Sequence, residues 1–210
     1  MTFLEKVEQA KQLISESIQK YPKITCACSF GKDSMVTLHL AISIKHDIPV
    51  FSVLSNTEFP ETYDYVKKMV ALYHLNYKEY RYKQVGTGAE CCGAPKVETF
   101  KTALANYDAW ISGVRKTEGI TRVNFKKVEV LNGLTKINPI LDFTELDVWR
   151  YLALYEIPVN PKYREGYRSL SCALCSTPER DETEPERAGR WRNTIKAGAE
   201  CGIHTTSLRK

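Results

Sequence analysis

Five of the seven cysteines in this 210-residue chain stand in patterns that can do chemistry. Cys91 and Cys92 are adjacent, and Cys172 and Cys175 form a CxxC about eighty residues later. Four thiolates gathered by folding are what a [4Fe–4S] cluster or a structural zinc ion requires. Adjacent side chains diverge, which suits a cluster with separated iron atoms better than one tetrahedral ion. The pattern therefore favours iron–sulfur, with zinc or unliganded buried thiols as the alternatives.

The fifth of these cysteines, Cys201, lies in the closing segment AGAECGIHTTSLRK, three residues before His204. A free thiol in a mobile chain end invites oxidation unless something uses it. A nearby imidazole can partner a thiolate or an oxyanion, although a lone histidine is usually surface decoration. Cys26 and Cys28 differ, because they share one face of an apolar strand and should pack as small hydrophobes.

The stretch SFGKDS follows a predicted strand and opens a predicted helix. A glycine turn there directs backbone N–H groups at an anion, and the helix N-terminus adds a favourable dipole. The spacing of a Walker P-loop is absent, and the loop resembles the shorter SGGKDS loop of the adenosine-nucleotide alpha hydrolase superfamily. An ordinary turn capped by an aspartate is the alternative. The predicted phosphate-binding residues are Ser29, Phe30, Gly31, Lys32, Asp33 and Ser34.

Hydrophobic periodicity and turn residues predict the elements that must position these groups. Strands are predicted at 24–30, 49–55, 76–82, 108–114 and 126–131, and helices at 2–21, 33–45, 60–74, 95–105 and 144–155. This alternation predicts a doubly wound α/β fold, Rossmann-like, with a mostly parallel sheet. After Pro161 the pattern weakens into loops and short helices. We expect one domain over 1–196 and a mobile catalytic tail over 197–210.

Composition limits the cellular compartment and the class of substrate that are expected. No segment is apolar enough for a membrane span or a signal peptide, so a cytoplasmic protein is expected. An odd number of cysteines in that compartment indicates metal or redox chemistry rather than structural disulfides. The net charge of +5 suits a small anionic substrate and does not demand nucleic acid.

Eight segments together carry a specific resemblance. They are SFGKDSMVTLHL (29–40), FPETY (59–63), CCGAPK (91–96), YDAWISGVRK (107–116), INPILDFTELDVWRYL (137–152), IPVNPKYREGYRSLSCALC (157–175), ERAGRW (186–191) and ECGIH (200–204). In this order the sequence resembles the sulfonucleotide reductases of assimilatory sulfate reduction, in the iron–sulfur branch typified by thioredoxin-dependent adenylyl-sulfate reductase.

That resemblance implies a reaction and a set of roles. Cys201 would attack the sulfur of adenylyl sulfate or phosphoadenylyl sulfate, forming an S-sulfocysteine, and reduced thioredoxin or a glutaredoxin-like protein would release sulfite. The positions implied to bind the phosphosulfate are Lys96, Arg115, Arg187, Arg190 and His204. The cluster ligands would be Cys91, Cys92, Cys172 and Cys175, and the cluster would orient Lys96 rather than carry electrons. Family members are commonly dimers or tetramers.

Two segments depart from the family pattern. SFGKDS is closer to the ATP-cleaving relatives, and SNTEFPETY lacks an Asp-Thr-Gly lead-in. Both fall on the expected nucleotide pocket. The alternatives are therefore an ATP-dependent thiolation enzyme acting on nucleic acid, which would need a basic surface, and a zinc-stapled nucleotide-binding module without catalysis.

Overall fold

The computed structural model describes residues 1–84, 93–131, 133–179, 181, 183–192, 197 and 200–204. Within these ranges the helices are α1 Phe3–Lys20, α2 Lys32–Ile44, α3 Pro60–Leu72, α4 Ala94–Leu104 and α5 Glu145–Leu154. The strands are β1 Ile24–Ala27, β2 Val50–Ser55, β3 Tyr77–Tyr82, β4 Ala109–Ile111, β5 Val128–Leu131 and β6 Leu134–Ile137. Short 3-10 turns follow β4 and α5, as the weakened pattern after Pro161 indicated.

The strands form one sheet in the order β3-β2-β1-β4-β6-β5. Every neighbouring pair is parallel except β5 and β6, so the predicted doubly wound, mostly parallel sheet is confirmed. Three strand predictions were too long and one strand was missed. The strands expected at 24–30, 108–114 and 126–131 are only Ile24–Ala27, Ala109–Ile111 and Val128–Leu131, and the sequence analysis contained no strand at Leu134–Ile137.

Capping boxes start two of the helices where the sequence predicted them. The Thr2 hydroxyl accepts the Glu5 N–H while the Glu5 carboxylate accepts the Thr2 N–H, at 3.3 and 2.7 Å. Thr144 and Asp147 repeat this arrangement at the start of α5. Such boxes satisfy amide groups that the first helical turn leaves without partners. The local signal is strong enough to set both helix starts.

Cys26 in β1 and Cys28 just after it lie in the hydrophobic core, as predicted. They are 0% and 2% exposed and belong to one core cluster with Ile24 of β1, Val50 of β2 and Ile111 of β4. Burial raises the pKa of Cys28 to about 12 and also raises that of Cys26. Both thiols therefore stay protonated and behave as apolar side chains.

The sheet order reverses direction between β1 and β4. Strands β2 and β3 extend to one side of β1, while β4 and β6 extend to the other. In open parallel sheets, ligands bind at the carboxyl ends of strands at such a point. Gly113, just past β4, lies so close to α2 that a Cβ would be 2.8 Å from Ser34 Cα. The segment after β4 therefore packs closely against the start of α2, next to the carboxyl ends of β1 and β4.

Candidate active site

A cavity opens at the carboxyl ends of β1 and β4. Counted together with the solvent space at its mouth, it has a volume of about 1190 Å³. Most of the residues that the sequence assigned to catalysis or substrate lie on its wall. They are Ser29, Phe30, Gly31, Asp33, Ser34, Lys96, Arg187, Arg190, Cys201 and His204. Residues from the SFGKDS loop, α4 and the C-terminal tail therefore line the same cavity.

The SFGKDS loop turns from β1 into α2 at the base of this cavity. Gly31 is the N-cap of α2, and no side chain caps that helix end. The Lys32 N–H donates to the Tyr163 hydroxyl at 2.7 Å, and the Ser29 and Ser34 hydroxyls are 3.2 Å apart. Phe30 adopts a φ of 57°, a left-handed conformation that a bulky residue rarely takes. The helix N-terminus and its neighbouring hydroxyls can receive an anion here.

Lys32 and Arg115 have a different position from the rest of the predicted set. Their charges are taken up by protein carboxylates beneath the loop. Lys32 Nζ lies 2.6 Å from Glu186 Oε1, and Arg115 contacts both Glu186 and Asp33, the latter at 2.5 Å. Asp33, Glu118 and Glu186 bring carboxylate oxygens within 4.8 Å of one another, so nearby cations are needed to hold them. Both cations therefore hold the loop in place rather than line the cavity.

Cys201 is brought into the same cavity by the tail. Its side chain is 6% exposed and packs with Cys172, Cys175 and Trp191. Burial alone would raise the pKa of Cys201, but Lys96, the Ile203 N–H and Arg190 outweigh it, so the pKa is lowered. A lowered thiol pKa favours the thiolate, which is the nucleophilic form. The tail cysteine therefore forms the thiolate more readily than an ordinary buried cysteine does.

Cys172 is the N-cap of the 3-10 turn Ala173–Cys175 and Cys175 is its last residue, and the two are 0% and 4% exposed. Their short spacing and shared burial fit two ligands of one metal centre. Cys91 and Cys92, the other two predicted ligands, lie outside the described residues. The described half of the predicted cluster site thus has the donor chemistry that a cluster requires.

Three arginines gather beside Cys201. Arg187 and Arg190 were predicted from the sequence, whereas Arg122 was missed. Burial, together with Arg122 and Arg190, lowers the pKa of Arg187 to about 10. Such crowding of like charges is costly unless an anion offsets it. This corner of the cavity is therefore suited to a strongly anionic group.

His204 forms the remaining wall. Its ring stacks on Trp110 with centroids 6.2 Å apart and planes inclined by 15°. Burial, with Lys136 and Arg122 nearby, holds the pKa of His204 well below its usual range. Its Nδ1 is buried and has no hydrogen-bond partner among the described residues. The ring is therefore neutral and presents a nitrogen that a ligand can engage.

The sequence analysis missed several residues that this geometry brings forward. Glu118 and Arg122 lie on 3-10 turns after β4, and Glu200 precedes the tail cysteine. Arg122 contacts both carboxylates, and the Arg122–Glu200 separation is 2.6 Å. Glu200 stood in the ECGIH segment without an assigned role, and the sequence signal for the other two was the i,i+4 spacing of Glu118 and Arg122. Ion pairs of this kind are common on surfaces, so the spacing alone does not mark a site.

Comparisons with known proteins agree on one family. A family model described as "Phosphoadenosine phosphosulfate reductase domain" matches residues 23–178. An adenosine 5'-phosphosulfate reductase from Burkholderia cepacia is 30% identical over 223 residues, covering 97% of this chain and 89% of the relative. A protein of the same name from Halalkalibacterium halodurans is 34% identical over 199 residues, covering 87% and 85%.

A solved structure supports the fold. The phosphoadenylyl-sulfate (PAPS) reductase from Candida auris, in a phosphate complex, superposes with a TM-score of 0.68. It is 23% identical in sequence, and the match covers 79% of this chain and 88% of that one. Across the described helices, none combines the length and apolar character that a bilayer crossing demands.

Proposed function

Because the chain belongs to the phosphoadenosine phosphosulfate reductase domain family, we propose that it reduces adenylyl sulfate to sulfite and AMP. The resemblance inferred from the sequence motifs is thereby confirmed. The observation that carries the proposal is the position of Cys201. This buried thiol of lowered pKa opens on the same cavity as the phosphate-binding loop.

The chemistry is two thiol displacements. The Cys201 thiolate attacks the sulfur of the phosphosulfate, an S–S bond forms, and the S–O bond to AMP breaks. A thiolate of reduced thioredoxin then attacks Cys201 Sγ, and sulfite leaves with the electron pair of the S–S bond. The second thioredoxin thiol closes a disulfide and returns Cys201 as a thiol. The dithiol supplies both electrons, so one difficult reduction is divided into two easier steps.

The cavity cations make the first displacement feasible. An anionic nucleophile and a phosphosulfate repel each other unless positive charge lies between them. Lys96, Arg187 and Arg190 supply that charge, and His204 Nδ1 offers a further polar contact. The SFGKDS loop receives the nucleotide phosphate at the start of α2. Lys32 and Arg115 act indirectly: they bind the carboxylates of Glu186 and Asp33, which hold this loop in shape.

A [4Fe–4S] cluster is proposed on Cys91, Cys92, Cys172 and Cys175. The burial and spacing of Cys172 and Cys175 fit this group. When bound, it supplies a formal charge of about −2 from its core and four thiolates. Lys96 follows the first cysteine pair at the start of α4, where it serves both the thiolate of Cys201 and the substrate.

The remaining expectations belong to this proposal. Thioredoxin or a glutaredoxin-like protein is the reductant, the chain assembles as a dimer or tetramer, and it works in the cytoplasm. Residues 197–210 act as a tail that presents Cys201 first to substrate and then to the reductant. Glu200 to His204 lie docked against the domain, which is the arrangement needed for the first step.

Sulfite release tests the function directly. Purified protein is assayed with adenylyl sulfate or its 3'-phosphorylated form, together with reduced thioredoxin. We expect sulfite chiefly from adenylyl sulfate, and loss of activity by about a thousandfold or more in Cys201→Ser. Cys26→Ala is the matched control, because Cys26 is buried in β1 away from the cavity. Preference for the phosphorylated nucleotide would select the alternative substrate, and sulfite from neither would favour an ATP-dependent thiolation enzyme.

A further inference from the structure

The carboxylate of Glu200 makes more contacts than a tail residue needs for solubility. Its Oε2 accepts from Arg122 Nε at 2.6 Å and from the Thr121 hydroxyl at 3.2 Å. Its Oε1 accepts from Arg122 Nη2 at 3.0 Å, so the pair is bidentate. The Glu200 side chain is 5% exposed. Two parallel hydrogen bonds between buried charges make a directional contact that a single exposed pair does not.

The same carboxylate fixes the backbone of the nucleophile. Glu200 Oε1 also accepts the N–H of Cys201 at 2.9 Å. On the other side, the His204 N–H donates to the Cys201 carbonyl at 2.9 Å. Both backbone polar groups of Cys201 are therefore held, which fixes the position of the Cα from which its side chain projects. A nucleophile needs this restraint, because small misplacement costs large factors in rate.

The receiving group, Arg122, is itself held firmly. Its Nη1 contacts Glu118, and the Glu118 carboxylate accepts the Arg115 N–H at 3.1 Å. Arg115 in turn contacts Asp33 in the phosphate-binding loop. The contact that docks the tail is thus continuous with the loop that receives the nucleotide. Hydrogen bonds to Arg122 outweigh burial, so the pKa of Glu200 is lowered and the residue stays ionised.

We propose that Glu200 is a positioning residue, which docks the tail on Arg122 and thereby places Cys201 in the cavity. This inference rests on the proposed function for its catalytic consequence, but the docking itself is separate. Removing one charge of a buried ion pair destabilises the docked state, because the other charge stays buried without a partner. The carboxylate therefore controls whether the tail is docked or released.

The test measures how readily iodoacetamide alkylates Cys201 in the absence of nucleotide, with each cysteine quantified by peptide mass spectrometry. In Glu200→Gln an amide NH₂ faces the Arg122 guanidinium. We expect alkylation of Cys201 to become faster by about tenfold or more. Arg122→Gln in the Glu200→Gln background should add little, because both changes remove the same contact. Without nucleotide, any contact between Arg122 and substrate does not enter the measurement.

Two controls separate docking of the tail from general loosening. Cys26, at 0% exposure in the core and away from the cavity, reports unfolding within the same molecule. Asp147→Asn removes a part-buried ion pair of the same kind, 2.6 Å from Lys6 Nζ, far from the tail in α5. We expect neither Cys26 labelling in Glu200→Gln nor Cys201 labelling in Asp147→Asn to increase.

Sulfite release adds a readout that a merely structural role would not move. With adenylyl sulfate, Glu200→Gln should lower kcat by about tenfold or more, while KM changes by less than about threefold. Glu200→Asp keeps the charge and should recover part of kcat.

The outcomes are distinct. Unchanged alkylation of Cys201 in Glu200→Gln overturns the proposal, and so does labelling of Cys26 in step with Cys201, since the carboxylate would then support the whole domain. Fast alkylation without sulfite from wild-type protein would leave the docking role standing and reject the proposed function.

Discussion

Cys28 and Cys201 reach the same cavity from two ends of the chain, yet their thiols have opposite character. They are 2% and 6% exposed, so burial hardly distinguishes them. Cys28 faces Ser34 and the Phe30 N–H, and burial raises its pKa to about 12. Cys201 faces Lys96 and Arg190, and its pKa is lowered despite burial. Nearby charge, rather than exposure, decides which cysteine is reactive.

The two regions also differ in how they are held. Cys28 lies at the end of a strand hydrogen-bonded on both sides, within the main core. Cys201 lies in a five-residue segment held by the Glu200 carboxylate and one 3-10 turn. A nucleophile that must meet substrate and then a partner protein needs an attachment that can be undone. A strand in the core cannot detach in this way, whereas a tail held by the contact between Glu200 and Arg122 can.

The largest expected effect comes from removing the charge that separates the two thiols. Lys96→Ala should lower sulfite release by about a hundredfold, as loss of one charge-stabilising group typically does. A cation lowers the pKa of a thiol, so its loss should raise the pKa of Cys201. The rising limb of the pH–alkylation profile should therefore move to higher pH. The rate of Cys201 alkylation, measured at a series of pH values, gives this shift.

Lys101→Ala is the matched control for Lys96→Ala. Lys101 lies on the same helix, is exposed and pairs with Glu98 at 3.1 Å. It should leave both sulfite release and the alkylation profile unchanged. Absorption of the proposed cluster should survive in both variants. A Lys96→Ala protein with wild-type turnover would remove the assigned role of Lys96.

The motifs that contain or surround these cysteines could be predicted from the sequence, because each has a local signal. The CxxC, the SFGKDS loop and the ECGIH tail are recognisable from residue type and spacing, and the capping boxes set the starts of α1 and α5. The opposite states of Cys28 and Cys201 follow from tertiary contacts. The sequence assigned Cys28 to the core correctly, because an apolar strand surrounds it.

Other parts were missed by the sequence analysis. Strand β6 had a local signal, because it pairs antiparallel with β5 and only Asn-Gly, a typical hairpin sequence, stands between the two strands. Arg122 resembles an ordinary turn residue until folding places Glu200 against it. Lys32 has the residue type of a phosphate ligand, yet Glu186 takes up its charge. For Arg122 and Lys32 the partner lies far away in sequence, so no local pattern reveals it.

A smaller effect should come from disturbing the region of Cys28 while leaving the tail intact. In Gly113→Ala the new Cβ would lie 2.8 Å from Ser34 Cα, so the loop or β4 must shift. Overpacking of this kind costs about 1–3 kcal/mol. We expect KM for adenylyl sulfate to rise by about tenfold, while the alkylation profile of Cys201 stays unchanged.

Gly119→Ala is the comparison variant for this glycine. Its Cβ would meet Arg187 Cδ at 3.7 Å, an ordinary van der Waals distance, and should raise KM much less. Equal changes in the two variants would indicate that the close approach of Gly113 to α2 does not shape the nucleotide site. A shifted Cys201 profile in Gly113→Ala would mean that the two regions are coupled.

The smallest effect concerns the pH range over which the tail keeps its docked form. Docking removes the His204 ring from water beside Lys136 and Arg122, which lowers its pKa. The undocked ring, with a pKa of about 6.5, takes up a proton first as pH falls. Stability from docked His204 is therefore complete above about pH 6.5 and is lost below it, by up to about 1.4 kcal/mol per pH unit. Urea unfolding of wild type and His204→Asn should diverge by this amount near pH 5.5, and parallel curves would show that the ring is protonated as easily in the docked tail as in water.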